Sequence, residues 1–341
     1  MSEGIVLNFT EKGICMEKKP GMKKRICFIA TGGTIACSDS GNGLMPSLGA
    51  EGLAAAVPEA GELCSIDFMQ LMQLDSSNLT PAHWQEIAGA VAERHDAYDG
   101  FVISHGTDTM AYTAAALYYM LENVKVPVVL TGSQLPMEHP ETDAKRNLLT
   151  AFHAAASGRA GVFLAFDGHV LFGDSAKKLY SKEFHAFHSI NRPEAGVMDF
   201  AAGKMVWHQQ DCPSSGSFRL HRQLDDRVVV LKLLPGTSPE FLRLAVDAGY
   251  RGIILESFGA GGVPTDESPL SLLPMIDYAI QKGVVLVCTT QCIYDGVHLE
   301  TYEVGVRAMQ HGVISGGTAT VEALAVKLML ALGEGRDLTD F

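Results

Sequence analysis

The apolar run Ile26-Cys27-Phe28-Ile29-Ala30 breaks off in Thr31-Gly32-Gly33-Thr34, and no other feature constrains the chain as strongly. A short run of apolar residues bounded by turn residues reads as a strand buried on both faces. The paired glycines turn the backbone, and a threonine hydroxyl follows the turn. A second stretch repeats this layout, with Phe101-Val102-Ile103-Ser104 leading into His105-Gly106-Thr107-Asp108-Thr109. In open α/β sheets ligands bind outside the carboxyl ends of the strands. Two strand ends that both carry threonine therefore predict one shared site.

From residue 22 to about 170 the pattern extends that sheet. Strands are predicted over 26–30, 100–104, 127–131 and 162–166, alternating with helical patterns, as in a parallel sheet covered by helices on both faces. Thr80-Pro81 opens a helix carrying Trp84, Ile87, Ala88 and Val91 at helical spacing, and further helices follow Asp108 and begin near Asp143. Asp167-Gly168 predicts a hairpin-like turn, followed by a polar functional loop over Gly173 to Asn191.

The aperiodic segment from Trp207 to Asp226 reads as a linker. Beyond it, strands over 228–233, 252–256 and 283–288 with helices over 239–248 and 268–282 predict a second, smaller α/β layer. The last helix begins near Thr320 and ends at Gly333. The predicted organisation is an appended, disordered N-terminal segment over 1–21, an N-terminal domain over 22–210, a linker over 211–225 and a C-terminal domain over 226–341.

Charge and cysteine usage narrow the partners. With 26 Lys+Arg against 39 Asp+Glu the formal charge is -13, which disfavours nucleic acid and anionic membrane. The seven cysteines are odd in number and form no C-x-x-C pair, so reduced thiols are expected. No apolar run approaches the roughly 18 residues of a membrane span, and the N-terminus lacks the order of a signal peptide. These features predict a cytoplasmic protein.

Each motif has a plain structural reading beside its chemical one. Thr31 to Thr34 is either a tight turn or a catalytic loop, and no phosphate-binding G-x-x-x-x-G-K-[ST] or complete G-x-G-x-x-G occurs. Glu51 stands where a ribose-binding acid would, but it opens an alanine-rich helical segment. In His105 to Thr109 a helix cap explains one polar residue and leaves the others to function. G-x-S-x-G is absent, and His105 reads as structural instead of a general base. Asp75-Ser76-Ser77-Asn78 reads as a helix-start loop, and Lys177-Lys178 as a solvated pair. His185 and His188 have ligand-like spacing, but no third ligand is spaced to complete a metal site.

Taken together, the two threonine motifs resemble those of the L-asparaginase family, in particular its bacterial cytoplasmic type I group. The likeness runs from about Met22 to near the C-terminus. Supporting stretches are Asp75-Ser76-Ser77, Tyr98 to Ile103, Met110-Ala111-Tyr112-Thr113, Thr131-Gly132-Ser133-Gln134, Thr289-Thr290-Gln291-Cys292 and Tyr302-Glu303-Val304-Gly305. The resemblance implies a flavodoxin-like, doubly wound N-terminal α/β domain with a second, smaller α/β domain behind it. It also implies hydrolysis of L-asparagine to L-aspartate and ammonia, with weaker action on L-glutamine.

By that resemblance Thr34 is the nucleophile that forms a β-aspartyl ester, and Thr107, Asp108 and Lys178 relay protons and activate water. Lys178, not Lys177, takes this role by its spacing to Phe184. Asp75, Ser76 and Ser77 bind substrate with Thr107 and Asp108, Ser76 holding the α-carboxylate and Asp108 facing the α-amino group. No cofactor or metal is implied. The implied assembly is a homodimer or homotetramer in which the Ser257 to Gly262 loop completes a neighbour's site.

One position departs from the family. Many relatives carry a tyrosine in the loop after the first motif, where this chain has Leu44. Another hydroxyl, or the Thr107 to Lys178 relay serving both half-reactions, would take that role. Two alternatives stand beside the hydrolase: a catalytically silent amino-acid-binding sensor on the same fold, and a tRNA-dependent amidotransferase subunit. The second is expected to carry an extra N-terminal domain, whereas only about 21 residues precede the first strand here.

Overall fold

A computed structural model describes residues 9–10, 13–14, 23–39, 44–46, 48–208 and 216–336. Its main sheet contains β1 (Lys24–Gly32), β2 (Cys64–Leu74), β3 (Gly100–Ser104), β4 (Pro127–Thr131) and β5 (Gly161–Phe166). These five are parallel and lie in the order β2-β1-β3-β4-β5. That is the flavodoxin-like order, whose switch point falls between β1 and β3. The two threonine motifs are the segments that leave these two strands.

Alternation along β1 explains the two-sided cover. Cys27 and Ile29 face one core with α3 (Pro81–Ala92), α4 (Met110–Met120) and part of α9 (Val321–Glu334). Ile26, Phe28 and Ala30 face the other with α1 (Ala50–Ala55), α2 (Pro58–Leu63) and α5 (Ala144–Ala156). With a strand period of two, a continuous apolar run supplies both cores.

Past β5 the sheet changes direction. The Asp167-Gly168 turn leads into β6 (His169–Phe172), antiparallel to β5. A short ribbon, β7 (Ala176–Lys178) with β8 (Phe187–Ser189), then stands off the sheet and carries the expected functional loop. Antiparallel strands β9 (Gly196–Asp199) and β10 (Lys204–Trp207) complete an eight-stranded mixed sheet. The sequence reading places no strands at these last two, which are four residues long and only partly buried.

The C-terminal layer is a parallel sheet of β11 (Val228–Lys232), β12 (Gly252–Ser257), β13 (Val285–Thr290) and β14 (Ile314–Ser315) in chain order. Its helices are α6 (Glu240–Asp247), α7 (Leu273–Gln281) and α8 (Glu303–Gln310). The start of α7 lies later than the predicted 268 because Pro274 must occupy the first turn. Helix α9 joins the layers: Ala323, Val326 and Leu330 pack into the first domain, and Leu324, Ala325 and Leu328 onto β12 and β13.

Gly333 does not end α9 as expected. The left-handed cap is Gly335, at φ 63°. Gly333 lies inside the helix, where a β-carbon would come within 2.3 Å of the Gln223 carbonyl oxygen. A close approach, not termination, requires glycine there. Gln223 belongs to the expected linker, whose residues 211–215 lie outside the described residues. From 216 onward it holds to the first domain: Arg219–Leu220 pairs with Leu121–Glu122, and the buried His221 ring reaches Glu122 and Glu334.

The predicted 1–21 segment lies outside the described residues except for a ribbon of two two-residue strands, Phe9–Thr10 with Gly13–Ile14. Among the described residues no helix is long and apolar enough to cross a membrane. Of the cysteines among the described residues, Cys27, Cys37, Cys64 and Cys288 are buried free thiols and Cys292 is exposed.

Candidate active site

Four strand ends converge on one region. After β1 the chain passes through Gly33 at φ 85° and ψ 173° into a single 3-10 turn that begins at Thr34. A β-carbon on Gly33 would lie 2.3 Å from the Gly106 amide nitrogen, so this glycine lets the β1 and β3 ends touch through bare backbone. The Thr31 hydroxyl donates to the Ser104 carbonyl at 2.7 Å and locks the same two ends together. Thr31 is therefore structural, whereas Thr34 is partly accessible and, among the described residues, has no hydrogen-bond partner for its hydroxyl.

At the β3 end, His105 is fully buried and acts as a brace. The Trp84 indole donates to the Thr113 hydroxyl at 3.1 Å, and Thr113 lies 2.8 Å from His105 Nε2. His105 Nδ1 lies 2.7 Å from the Gly106 carbonyl. One consistent chain of donors results: Trp84 to Thr113, Thr113 to Nε2, and Nδ1–H to Gly106. Burial pushes the imidazole down to about 4, so it is neutral near pH 7. Its proton fixes the loop that carries Thr107.

Thr107 is buried and Asp108 exposed, although they are neighbours. Lys178 reaches both: its Nζ donates to Thr107 Oγ1 at 2.8 Å and to Asp108 Oδ1 at 2.7 Å. The Thr107 hydroxyl in turn faces Gln134 Oε1 at 3.4 Å. Gln134, at the β4 end, also donates from Nε2 to the Glu183 carbonyl at 2.9 Å and so ties down the loop between β7 and β8. Buried Asp143 accepts the Gln134 backbone amide and orients it.

Lys177 points elsewhere. Successive residues of a strand face opposite sides, and Lys177 meets Glu322 of α9 at 2.8 Å. Neither lysine is the solvated charge expected of an adjacent lysine pair. The β2 end supplies Asp75, Ser76 and Ser77. Asp75 accepts the Ser77 amide at 2.8 Å, the local turn its sequence predicts. Ser76 is buried, and its carbonyl accepts the Thr109 hydroxyl at 2.8 Å, which brings this turn against the second motif. Asp75 and Ser77 are exposed beside it.

Thus Thr34, Ser76, Thr107, Asp108 and Lys178 belong to one set of converging loops. Gln134 was visible in the sequence only as part of a matching stretch, and its bridge to Thr107 and Glu183 appears only in three dimensions. Leu44 lies by its backbone in a two-strand hairpin with Asp39. Its side chain and residues 40–43 fall outside the described residues.

Known proteins resemble this chain in sequence and fold. Residues 25–212 match the family model for the asparaginase N-terminal domain, and residues 227–341 match that for the glutaminase/asparaginase C-terminal domain. An L-asparaginase of Thermococcus kodakarensis is 41% identical, over 93% of this chain and 95% of its own length. A glutamyl-tRNA(Gln) amidotransferase subunit of Pyrococcus furiosus is 37% identical, over 92% of this chain and 73% of its own length. Among solved structures, the thermostable L-asparaginase of T. kodakarensis superposes with a TM-score of 0.87 at 39% identity, covering 93% of this chain and 95% of that one. L-asparaginase I of Vibrio cholerae gives 0.82 at 34% identity, covering 92% and 94%. By both of its domains and by its fold, the chain belongs to the asparaginase family.

Proposed function

We propose that the protein is an L-asparaginase that hydrolyses L-asparagine to L-aspartate and ammonia, with Thr34 as nucleophile. One observation carries this reading: Lys178 hydrogen-bonds Thr107 and Asp108 at the strand end next to the one that presents Thr34. A threonine hydroxyl is a weak nucleophile and needs a base close by.

In the first half-reaction the Thr34 Oγ adds to the side-chain amide carbon and its proton passes to the departing nitrogen. Ammonia leaves and a β-aspartyl ester of Thr34 remains. Lys178 passes a proton to the Asp108 carboxylate it contacts and, as the neutral amine, takes one from water through the Thr107 hydroxyl; that water attacks the ester. The acyl–oxygen bond breaks, L-aspartate leaves, and Thr34 recovers its hydroxyl proton. Asp108 accepts a hydrogen bond from Lys178 and is exposed enough to meet a substrate ammonium group. Ser76, buried against Thr109, suits the α-carboxylate.

The T. kodakarensis L-asparaginase is 41% identical to this chain and the amidotransferase subunit 37%. This supports the free amino acid over an aminoacyl-tRNA as substrate. The exposed apolar side chains Leu234, Phe241, Leu244 and Tyr302 of the C-terminal layer support a homodimer or homotetramer. In it the Ser257 to Gly262 loop would approach a neighbour's site. A cytoplasmic location is part of the same proposal.

Ammonia release from L-asparagine and L-glutamine, measured side by side on wild type, Thr34→Ala and Thr107→Ala, tests it. Wild type should favour asparagine, one methylene being worth about 1–3 kcal/mol in a fitted pocket. Each variant should lose on the order of a thousandfold or more in turnover with an unchanged circular dichroism spectrum. Wild-type-like turnover in either folded variant refutes the two-threonine mechanism.

A further inference from the structure

A second cluster of chemically able side chains lies outside the catalytic loops. Asp167 and Gly168, at φ 48° and 84°, form the two-residue turn between β5 and β6. With both central residues at positive φ this is the tight hairpin turn that suits strand twist. It places Asp167 and His169 on either side of Gly168. The Asp167 amide donates to Asn147 Oδ1 of α5 at 2.7 Å, which anchors the turn from behind. His185 arrives from the loop between β7 and β8.

One ligand atom each from Asp167, His169 and His185 lie within 4.8 Å of one another. Asp167 Oδ2 and His185 Nδ1 are 3.4 Å apart. That is about the edge of a tetrahedron whose bonds to a central ion are about 2.1 Å, the length usual for zinc with imidazole and carboxylate. His169 Nδ1 lies 2.8 Å from Glu194 Oε2. A carboxylate behind a ligand imidazole fixes its orientation and raises its basicity. The side chains of Asp167, His169 and His185 are 27%, 33% and 38% exposed, which leaves an entry path and room for water as a further ligand.

From this geometry we propose that Asp167, His169 and His185 form a binding site for a borderline divalent cation of the Zn2+ kind, distinct from the catalytic loops. Two imidazoles and one carboxylate are the donor set such ions prefer over Mg2+ or Ca2+. The local charge permits it: Asp167 and Glu194 are acidic, and Arg146, whose Nε is 3.4 Å from Asp167 Oδ1, offsets one of them. His188 stacks edge-on against His185 at 4.4 Å, and its Nε2 is buried with no hydrogen-bond partner among the described residues.

The site clips the catalytic ribbon to the sheet. His185 precedes Phe187 by two residues, and Phe187 pairs with Lys178. A bound ion would tether the β7–β8 ribbon to the β5–β6 turn.

Equilibrium dialysis of the metal-stripped full chain against ZnCl2, with the visible absorption of its Co2+ form, tests the proposal. Wild type should take up one Zn2+ per chain and show the intense bands of four-coordinate cobalt. His169→Ala and His185→Gln should each weaken binding by at least about tenfold and abolish those bands. His185→Gln decides the matter if His169→Ala fails to fold, because His185 is the more exposed of the two. No stoichiometric uptake by wild type, or uptake unchanged in folded His185→Gln, overturns the proposal.

Discussion

Lys178 Nζ donates to Thr107 Oγ1 at 2.8 Å, across 71 residues of chain and from a ribbon outside the main sheet. Lys177, its neighbour, faces the opposite side and pairs with Glu322. Lys178→Met should therefore abolish ammonia release. Lys177→Met should leave turnover close to wild type but destabilise the fold by on the order of 1–3 kcal/mol, because Glu322 is left nearly buried and unpaired. Rates and urea midpoints on both variants check this, and the reverse ranking in rate would show the relay is drawn through the wrong lysine.

Asp108 lies within 2.7 Å of Lys178 and yet is largely exposed. On the proposed mechanism, Asp108→Asn should raise KM for L-asparagine as well as lower kcat, because there Asp108 both faces the substrate ammonium and accepts a proton. Steady-state kinetics separate the two effects. A lowered kcat with unchanged KM would confine Asp108 to proton transfer.

Gly33 combines positive φ with backbone contact to Gly106. Gly33→Ala should cost roughly 1–3 kcal/mol or more in stability and displace Thr34. Chemical denaturation together with ammonia release reads both outcomes. A variant matching wild type in stability and rate would mean that the two strand ends need not touch.

His105 predicts a pH dependence of stability. Burial pushes its imidazole down to about 4 in the folded chain from the ordinary 6.5, so between these values the unfolded state binds the extra proton. The contribution is fully present above pH 6.5 and is lost as pH falls toward 4, to an extent of about 3 kcal/mol. His105→Gln should flatten this part of the curve. Unfolding free energies of both proteins at pH 7, 6 and 5 test it; parallel curves would show that His105 does not contribute.

What the sequence carried by itself was local. Glycine sterics at Gly33 and the alternation of Cys27 and Ile29 against Ile26 and Phe28 are written within a few residues. The turn at Asp167-Gly168 and the buried strand over 100–104 were legible for the same reason, since each depends on backbone preferences that neighbours do not override. The resemblance then attached roles to Thr34, Thr107 and Lys178, but no spacing along the chain could bring Lys178 to Thr107 or send Lys177 to Glu322.

Tertiary structure decided those contacts. The direction of each lysine follows from how the β7–β8 ribbon pairs and docks, and its anchor, Gln134, comes from a different strand end. The same holds for Gly333, whose sequence reads as a helix stop until Gln223 is packed against it. His185 has ligand-like spacing only to His188 in the chain, and finds Asp167 and His169 only when the hairpin turn folds over. Side chains distant in sequence meet through register and packing, which sum many weak contacts across the whole fold and leave no signature in any one segment.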